Sequence, residues 1–270
     1  MSKISNSLGR SGNPALTSEV FNKSITSTGE VMTLQGTVNK TAFSLFLLIM
    51  AAHFTYAPDS SLTGNLIKFF NPDIQFPSTF GYKFIWPGFI GGLIVALITM
   101  FKKEWAPVTV PIYAILEGFA LGGISVVFAN AFYPGIVSQA ILLTVSIFVA
   151  LLFAYKTRII KPTENFKLGI FAATGGIFLV YIVSWIMAIF GASMPIMNPA
   201  NASLISIGFS LFVVVIAALN LVLDFDFIEE GAEKGAPKYM EWYGAFGLLV
   251  TLIWLYLEIL RLLAKLYSRR

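Results

Sequence analysis

The sequence predicts an all-α membrane protein, a bundle of seven transmembrane helices, from three observations. First, 57% of the 270 residues are hydrophobic and only 12% are charged. That is about half the ~25% charge of a soluble domain, too little polar surface to cover a water-soluble globule. Second, apolar runs recur at about 41–57, 84–101, 108–132, 134–155, 167–191, 202–224 and 242–266, each near the ~20 residues that cross hydrocarbon as a helix. Third, turn formers fall between the runs: Pro58-Asp-Ser-Ser, Pro107, Tyr133-Pro-Gly135, Lys161-Pro-Thr-Glu164 and Met197-Asn-Pro-Ala-Asn201. A soluble enzyme is excluded. The absence of cysteine excludes disulfides, zinc ribbons and thiol nucleophiles, and a lone histidine, His53, excludes multi-histidine metal sites.

Residues 1–37, rich in Ser, Thr, Asn and Gly, read as a mostly disordered cytoplasmic tail, and 38–270 as the membrane domain. The tail lacks the early apolar core of a signal peptide, so insertion is expected through the first span. Val31–Lys40 is expected on the bilayer surface ahead of that span. Trp86, Trp105, Tyr133, Tyr155 and Trp242 sit near span ends, where amphipathic rings favour the interface. His53, beside Tyr56, reads as an interfacial histidine. Twelve Lys and Arg fall on the side of the N-terminus and six on the other, counting the basic C-terminus. The excess expects the N-terminus in the cytoplasm. The net charge of +4 reflects these basic flanks and points away from nucleic acid.

An ionisable group within a span costs ~2.5–3.5 kcal/mol on insertion scales, which makes each a functional candidate. The candidates are Glu117 in the third span, Asp224 at the end of the sixth with Asp226 just beyond, and Glu258 with Arg261 in the seventh. In the sixth span Ser203, Ser206, Ser210, Val213, Ala217, Asn220 and Asp224 follow steps of three and four, one stripe down an otherwise bulky apolar helix. The seventh repeats the pattern with Gly244, Gly247, Thr251, Trp254, Glu258, Arg261 and Lys265. Small and polar residues face protein in lipid, so the two stripes are expected to face each other and to bring Asp224 towards Glu258. The third-span face Ala114, Gly118, Gly122, Ser125 and Ala129, with Glu117 on its edge, is expected opposite them. Two carboxylates in a low-dielectric site cannot both ionise cheaply, so one takes up a proton. Such a pair senses pH, and fully ionised it is a hard-oxygen site suited to Ca²⁺. The plainer alternatives are a proton-sharing brace, or Glu258 paired with Arg261 one turn later. The acidic run Asp226, Glu229, Glu230 and Glu233 reads as a solvated helix end, and Lys265 as a lysine snorkelling to the interface.

Leu221-Val-Leu-Asp224 with Phe227-Ile-Glu-Glu-Gly-Ala-Glu-Lys-Gly235, and Leu255-Tyr-Leu-Glu258 with Ile-Leu-Arg-Leu-Leu263, resemble the transmembrane Bax inhibitor motif family, in its bacterial YccA-like branch. Asn13-Pro-Ala-Leu16, Val31 to Thr41, and Tyr113-Ala-Ile-Leu-Glu-Gly-Phe-Ala-Leu-Gly-Gly-Ile-Ser125 are similar to its longer bacterial subgroup. The resemblance implies seven helices with the last one central. It also implies a pH-sensitive calcium leak controlled by acids on the sixth and seventh helices, here Asp224 and Glu258. Glu258 stands where that family usually has Asp. The second span holds no arginine to latch the acids, a role that falls to Arg261.

The expectation is therefore a non-enzymatic, multi-pass protein of a bacterial inner membrane that passes Ca²⁺ or protons. Asp224 and Glu258 would be its pH sensor and transient Ca²⁺ ligands, supported by Glu117, Asn220, Asp226 and Arg261, with no resident cofactor. The alternative is a non-conducting regulator of a membrane protease or a stress response, docking through its polar tail. An intramembrane hydrolase using the two carboxylates is a third reading.

Overall fold

The computed structural model describes residues 30–70, 75–77, 79–160 and 162–270. The tail, apart from its last residues, therefore lies outside the described residues. Among the described residues eight α-helices follow in order: α1 Leu34–Tyr56, α2 Leu62–Phe70, α3 Tyr82–Phe101, α4 Ala106–Ala131, α5 Ile136–Lys156, α6 Glu164–Ile189, α7 Leu204–Glu233 and α8 Met240–Ser268. All but α2 are long and apolar enough to cross a membrane. Between α1 and α2 lies the turn Pro58–Ser60, where Asp59 pairs with Lys68 at 2.5 Å.

The helix ends follow local chemistry. Thr33, Thr163 and Ser203 cap α1, α6 and α7, each hydroxyl accepting from the backbone N–H three residues on. Gly191 and Gly235 follow α6 and α7 with φ of 76° and 65°. In each case the glycine N–H and the next N–H return to carbonyls of the last turn: Gly191 to Ala188 and Ala192 to Met187, Gly235 to Ala232 and Ala236 to Gly231. This is the Schellman closure, and a side chain at either glycine would strain it.

Two element bounds differ from expectation. Val31–Lys40 is not a separate surface segment. From Leu34 onward it is the first two turns of α1, while Val31 forms a β-bridge with Pro237 and Met32 is buried. Polar Thr37 and Thr41 do not stop the helix because their hydroxyls bond back to the carbonyls four residues earlier. At the other end α7 continues through Asp226 to Glu233, where the apolar run had suggested a stop near Asp224.

The chain divides into two compact units. One comprises α1–α4 with Pro237–Leu249, and the other comprises Pro134–Ala236 (α5–α7) with Val250–Arg270. In the first, glycines set the packing. A Cβ at Gly118 or Gly122 of α4 would run into α1, at Leu48 O and Ala51 or at Ala52 O and Thr55 Oγ1. Gly88 of α3 lies equally close to Leu116 O and Ala120 of α4. Thr99 Oγ1 donates to Thr109 Oγ1 at 2.8 Å between α3 and α4. In the second unit Ile177 of α6 packs with Val213 and Ile216 of α7. Outward faces carry exposed Leu142, Leu179 and Ile205, and such side chains suit contact with lipid.

Candidate functional site

The sixth-span stripe is buried at Ser206, Ser210, Val213, Ala217, Asn220 and Asp224, so the spacing located an inward face of α7. In the second unit this face lines a polar seam shared with α6 and α8. At one end Lys167 of α6, itself buried, lies 3.2 Å from Asp226 Oδ2 and 3.1 Å from Glu164 Oε1. Next along, Thr251 Oγ1 of α8 donates to Asp224 Oδ2 at 2.5 Å. Asn220 Nδ2 then donates to Thr174 Oγ1 of α6 at 2.8 Å and to Ile216 O at 2.9 Å. Glu258 Oε1 accepts from Tyr181 Oη at 2.7 Å and from Arg261 Nη1 at 2.6 Å. Trp254 Nε1 donates to Tyr181 Oη at 3.2 Å, and the Arg261 guanidinium lies over the tyrosine ring. Farthest along, Lys265 Nζ donates to Ser210 Oγ at 2.8 Å, Ile196 O at 2.6 Å and Ser206 O at 3.1 Å.

The register is regular and antiparallel: Asp224 meets Thr251, and fourteen residues away on both helices Ser210 meets Lys265. At 1.5 Å per residue the polar groups from Ser206 to Asp226 span ~30 Å, about the thickness of bilayer hydrocarbon. The same register fixes the two acids. Glu258 lies seven residues, ~10 Å, beyond Thr251, so Asp224 and Glu258 occupy different levels of one seam, each with its own hydroxyl donor. Arg261 clamps Glu258 from the same helix. Glu258 Oε2 and Asn220 Oδ1 are buried without a hydrogen-bond partner, and an unpaired buried acceptor is costly unless it has a use.

The remaining candidates fall elsewhere. Glu117 belongs to the first unit, its carboxylate against the backbone of Gly92 in α3. The α4 face expected opposite the acids is instead the α1 contact through Gly118 and Gly122. Small residues there serve close helix approach, so polarity pattern alone could not tell which helix they meet. The acidic run beyond Asp224 is solvated only at its last member, the exposed Glu233, and the earlier acids are paired. Glu230 is buried and pairs with Lys234 at 2.5 Å, and Glu229 takes Arg158 at 3.0 Å and the Tyr155 hydroxyl. Lys265 does not snorkel: it is fully buried. Thr174 and Tyr181 of α6 were missed because each is an ordinary residue in an apolar helix, with only their spacing of two turns to hint at a shared face, and Lys167 because it stands at the start of its span, where it counts among the basic flanks.

Among the described residues no three His, Cys, Asp or Glu side chains gather where they could hold a metal. Among curated proteins none matches the chain significantly. A family model described as Bax inhibitor 1 like matches residues 13–268, nearly the full length. With seven helices of membrane-spanning length carrying that match, the chain belongs to the Bax inhibitor 1 like family of multi-pass membrane proteins.

Proposed function

We propose that the protein is a non-enzymatic, pH-sensitive ion pathway of a bacterial inner membrane, its N-terminus cytoplasmic, and that Asp224 and Glu258 are its protonatable groups. The observation that carries this reading is the seam itself: acids, an amide and hydroxyls succeed one another over ~30 Å between α6, α7 and α8, with Glu258 Oε2 left open. Ionisable groups in chains through a bilayer are the usual mark of proton or ion routes. The step is local. Ionised Glu258 holds Arg261 and accepts from Tyr181. Adding a proton removes the negative charge that holds the guanidinium and turns one carboxyl oxygen into a donor. Protonated Asp224 likewise becomes a weaker acceptor for Thr251. Both changes loosen the seam, so passage of protons or Ca²⁺ rises on acidification, to be followed between pH 8 and 5.

The test is ion flux in proteoliposomes across that range, for Ca²⁺ and for protons separately. Asp224→Asn and Glu258→Gln should each flatten the pH response, the second at the high-flux level because glutamine imitates the protonated acid. Variants that respond to pH as the wild type does would overturn the mechanism.

A second reading, regulation of a membrane protease or stress response without conduction, draws on the anchoring of the tail. Thr33 N and Oγ1 donate to Glu241 Oε1 at 3.0 and 2.8 Å, and Lys238 N donates to Glu30 O. Glu30 and Thr33 are therefore fixed beside the start of α8. Deleting residues 1–29 preserves that anchor, and it should abolish partner regulation while sparing flux.

A further inference from the structure

The end of the seam holds an arrangement that the proposed protonation of Asp224 and Glu258 does not use. The Lys265 side chain is fully buried although it lies three residues from the end of α8, within easy reach of water for a four-carbon stem. Instead it turns inward, and its ammonium sits among three neutral oxygens. Two are carbonyls, from Ile196 in the α6–α7 connection and Ser206 in the first turn of α7, and the third is the Ser210 hydroxyl. Among the described residues no carboxylate comes within ion-pair distance of Nζ. The connection is itself fixed around these oxygens: Ser206 Oγ donates to Ile196 O, and Asn201 Nδ2 to Pro195 O at 2.9 Å. The oxygens are therefore held in place by more than the lysine.

Burying an ammonium without a counter-ion is expensive, and here the three oxygens match its three N–H donors. Carbonyls and hydroxyls converging on one positive charge are also how proteins strip and hold alkali cations. A divalent ion demands six to eight oxygens with carboxylates among them, and the cradle offers none. We propose that Ile196 O, Ser206 O and Ser210 Oγ form a monovalent-cation site, of the K⁺ or NH₄⁺ class, that the tethered ammonium of Lys265 fills. The lysine is a built-in occupant, tying the α6–α7 connection to α8, and its removal leaves a site for a free cation. This goes beyond the pathway reading and does not depend on whether the seam conducts.

The experiment is thermal unfolding of purified full-length Lys265→Ala in chlorides of K⁺, NH₄⁺, Na⁺, Ca²⁺ and N-methylglucamine at matched ionic strength. Lys265→Ala should show a saturable rise of about 3 °C with K⁺ or NH₄⁺, absent with N-methylglucamine and Ca²⁺. The wild type should show none. Adding Ser210→Ala to the variant should remove the response. Folding of Lys265→Ala only in K⁺ or NH₄⁺ medium would count equally in favour. Equal stability in all five salts, failure to fold in every one, or the same response in wild type would overturn the site and leave Lys265 a structural tie. The outcome of flux measurements on Asp224 and Glu258 bears only on the pathway, so the two ideas fail separately.

Discussion

The two units are built from the same apolar stock but held together differently. Around α1, α3 and α4, glycines let backbones touch and hydroxyls mostly bond back within their own helix. Around α6, α7 and the later part of α8, the close contacts are between side chains, many of them charged. In lipid there is no hydrophobic gain from pressing helices together, so packing and polar contacts must do it. The first unit relies mainly on the packing route, with Glu117 and Glu241 as its buried acids, whereas the second relies on the polar route, with Asp224 and Glu258 in its seam.

The sharpest way to break this contrast is to spoil the backbone contact. Gly122→Leu should destabilise the first unit by about 3 kcal/mol or more, because the new side chain meets Ala52 O and Thr55 with no room to move. Loss of monodisperse protein in detergent would register it. A matched pair then compares like with like. Thr251→Val removes a hydrogen bond to a carboxylate, about 1.5–3 kcal/mol, whereas Thr99→Val removes one between neutral hydroxyls, about 0.5–1.5 kcal/mol. Equal losses in denaturant melts would show that Asp224 is not ionised in its seam. Tyr181→Phe takes one donor from Glu258 and the acceptor from Trp254, with an expected loss of about 1–2 kcal/mol. It should also move the pH profile of flux, which the first unit's Thr99→Val should not. The smallest effect is expected from Arg158→Ala. That side chain is 70% exposed, and its pair with Glu229 is worth less than about 1 kcal/mol.

How much of this was legible in the sequence follows the same divide. Helical spacing found the inward stripe of α7 because Ser206, Ser210, Asn220 and Asp224 interrupt a helix of Leu, Ile, Val and Phe, where any polar residue must face protein. It could not set the level of Asp224 against Glu258. That offset comes from the tight turn after Gly235, and a period of 3.6 says nothing about how far one helix slides along its neighbour. The fate of Lys265 was hidden for a related reason. Its partners lie 55 to 69 residues upstream, and a lysine near a chain end looks the same whether it reaches water or turns inward. Glu117 stood out as an acid within a span, yet its setting beside Gly92 depends on which helix α4 meets on that side.

The anchor at Thr33 carries a consequence for how the protein is made. The carboxylate that receives the Thr33 N–H and hydroxyl belongs to Glu241, 208 residues later. At translation rates of about 5–20 residues per second, α1 waits some 10–40 s on the ribosome before its partner exists. During that interval the start of the first span has to be sheltered by the insertion machinery or by water at the membrane surface. The last helix, on emerging, completes the first.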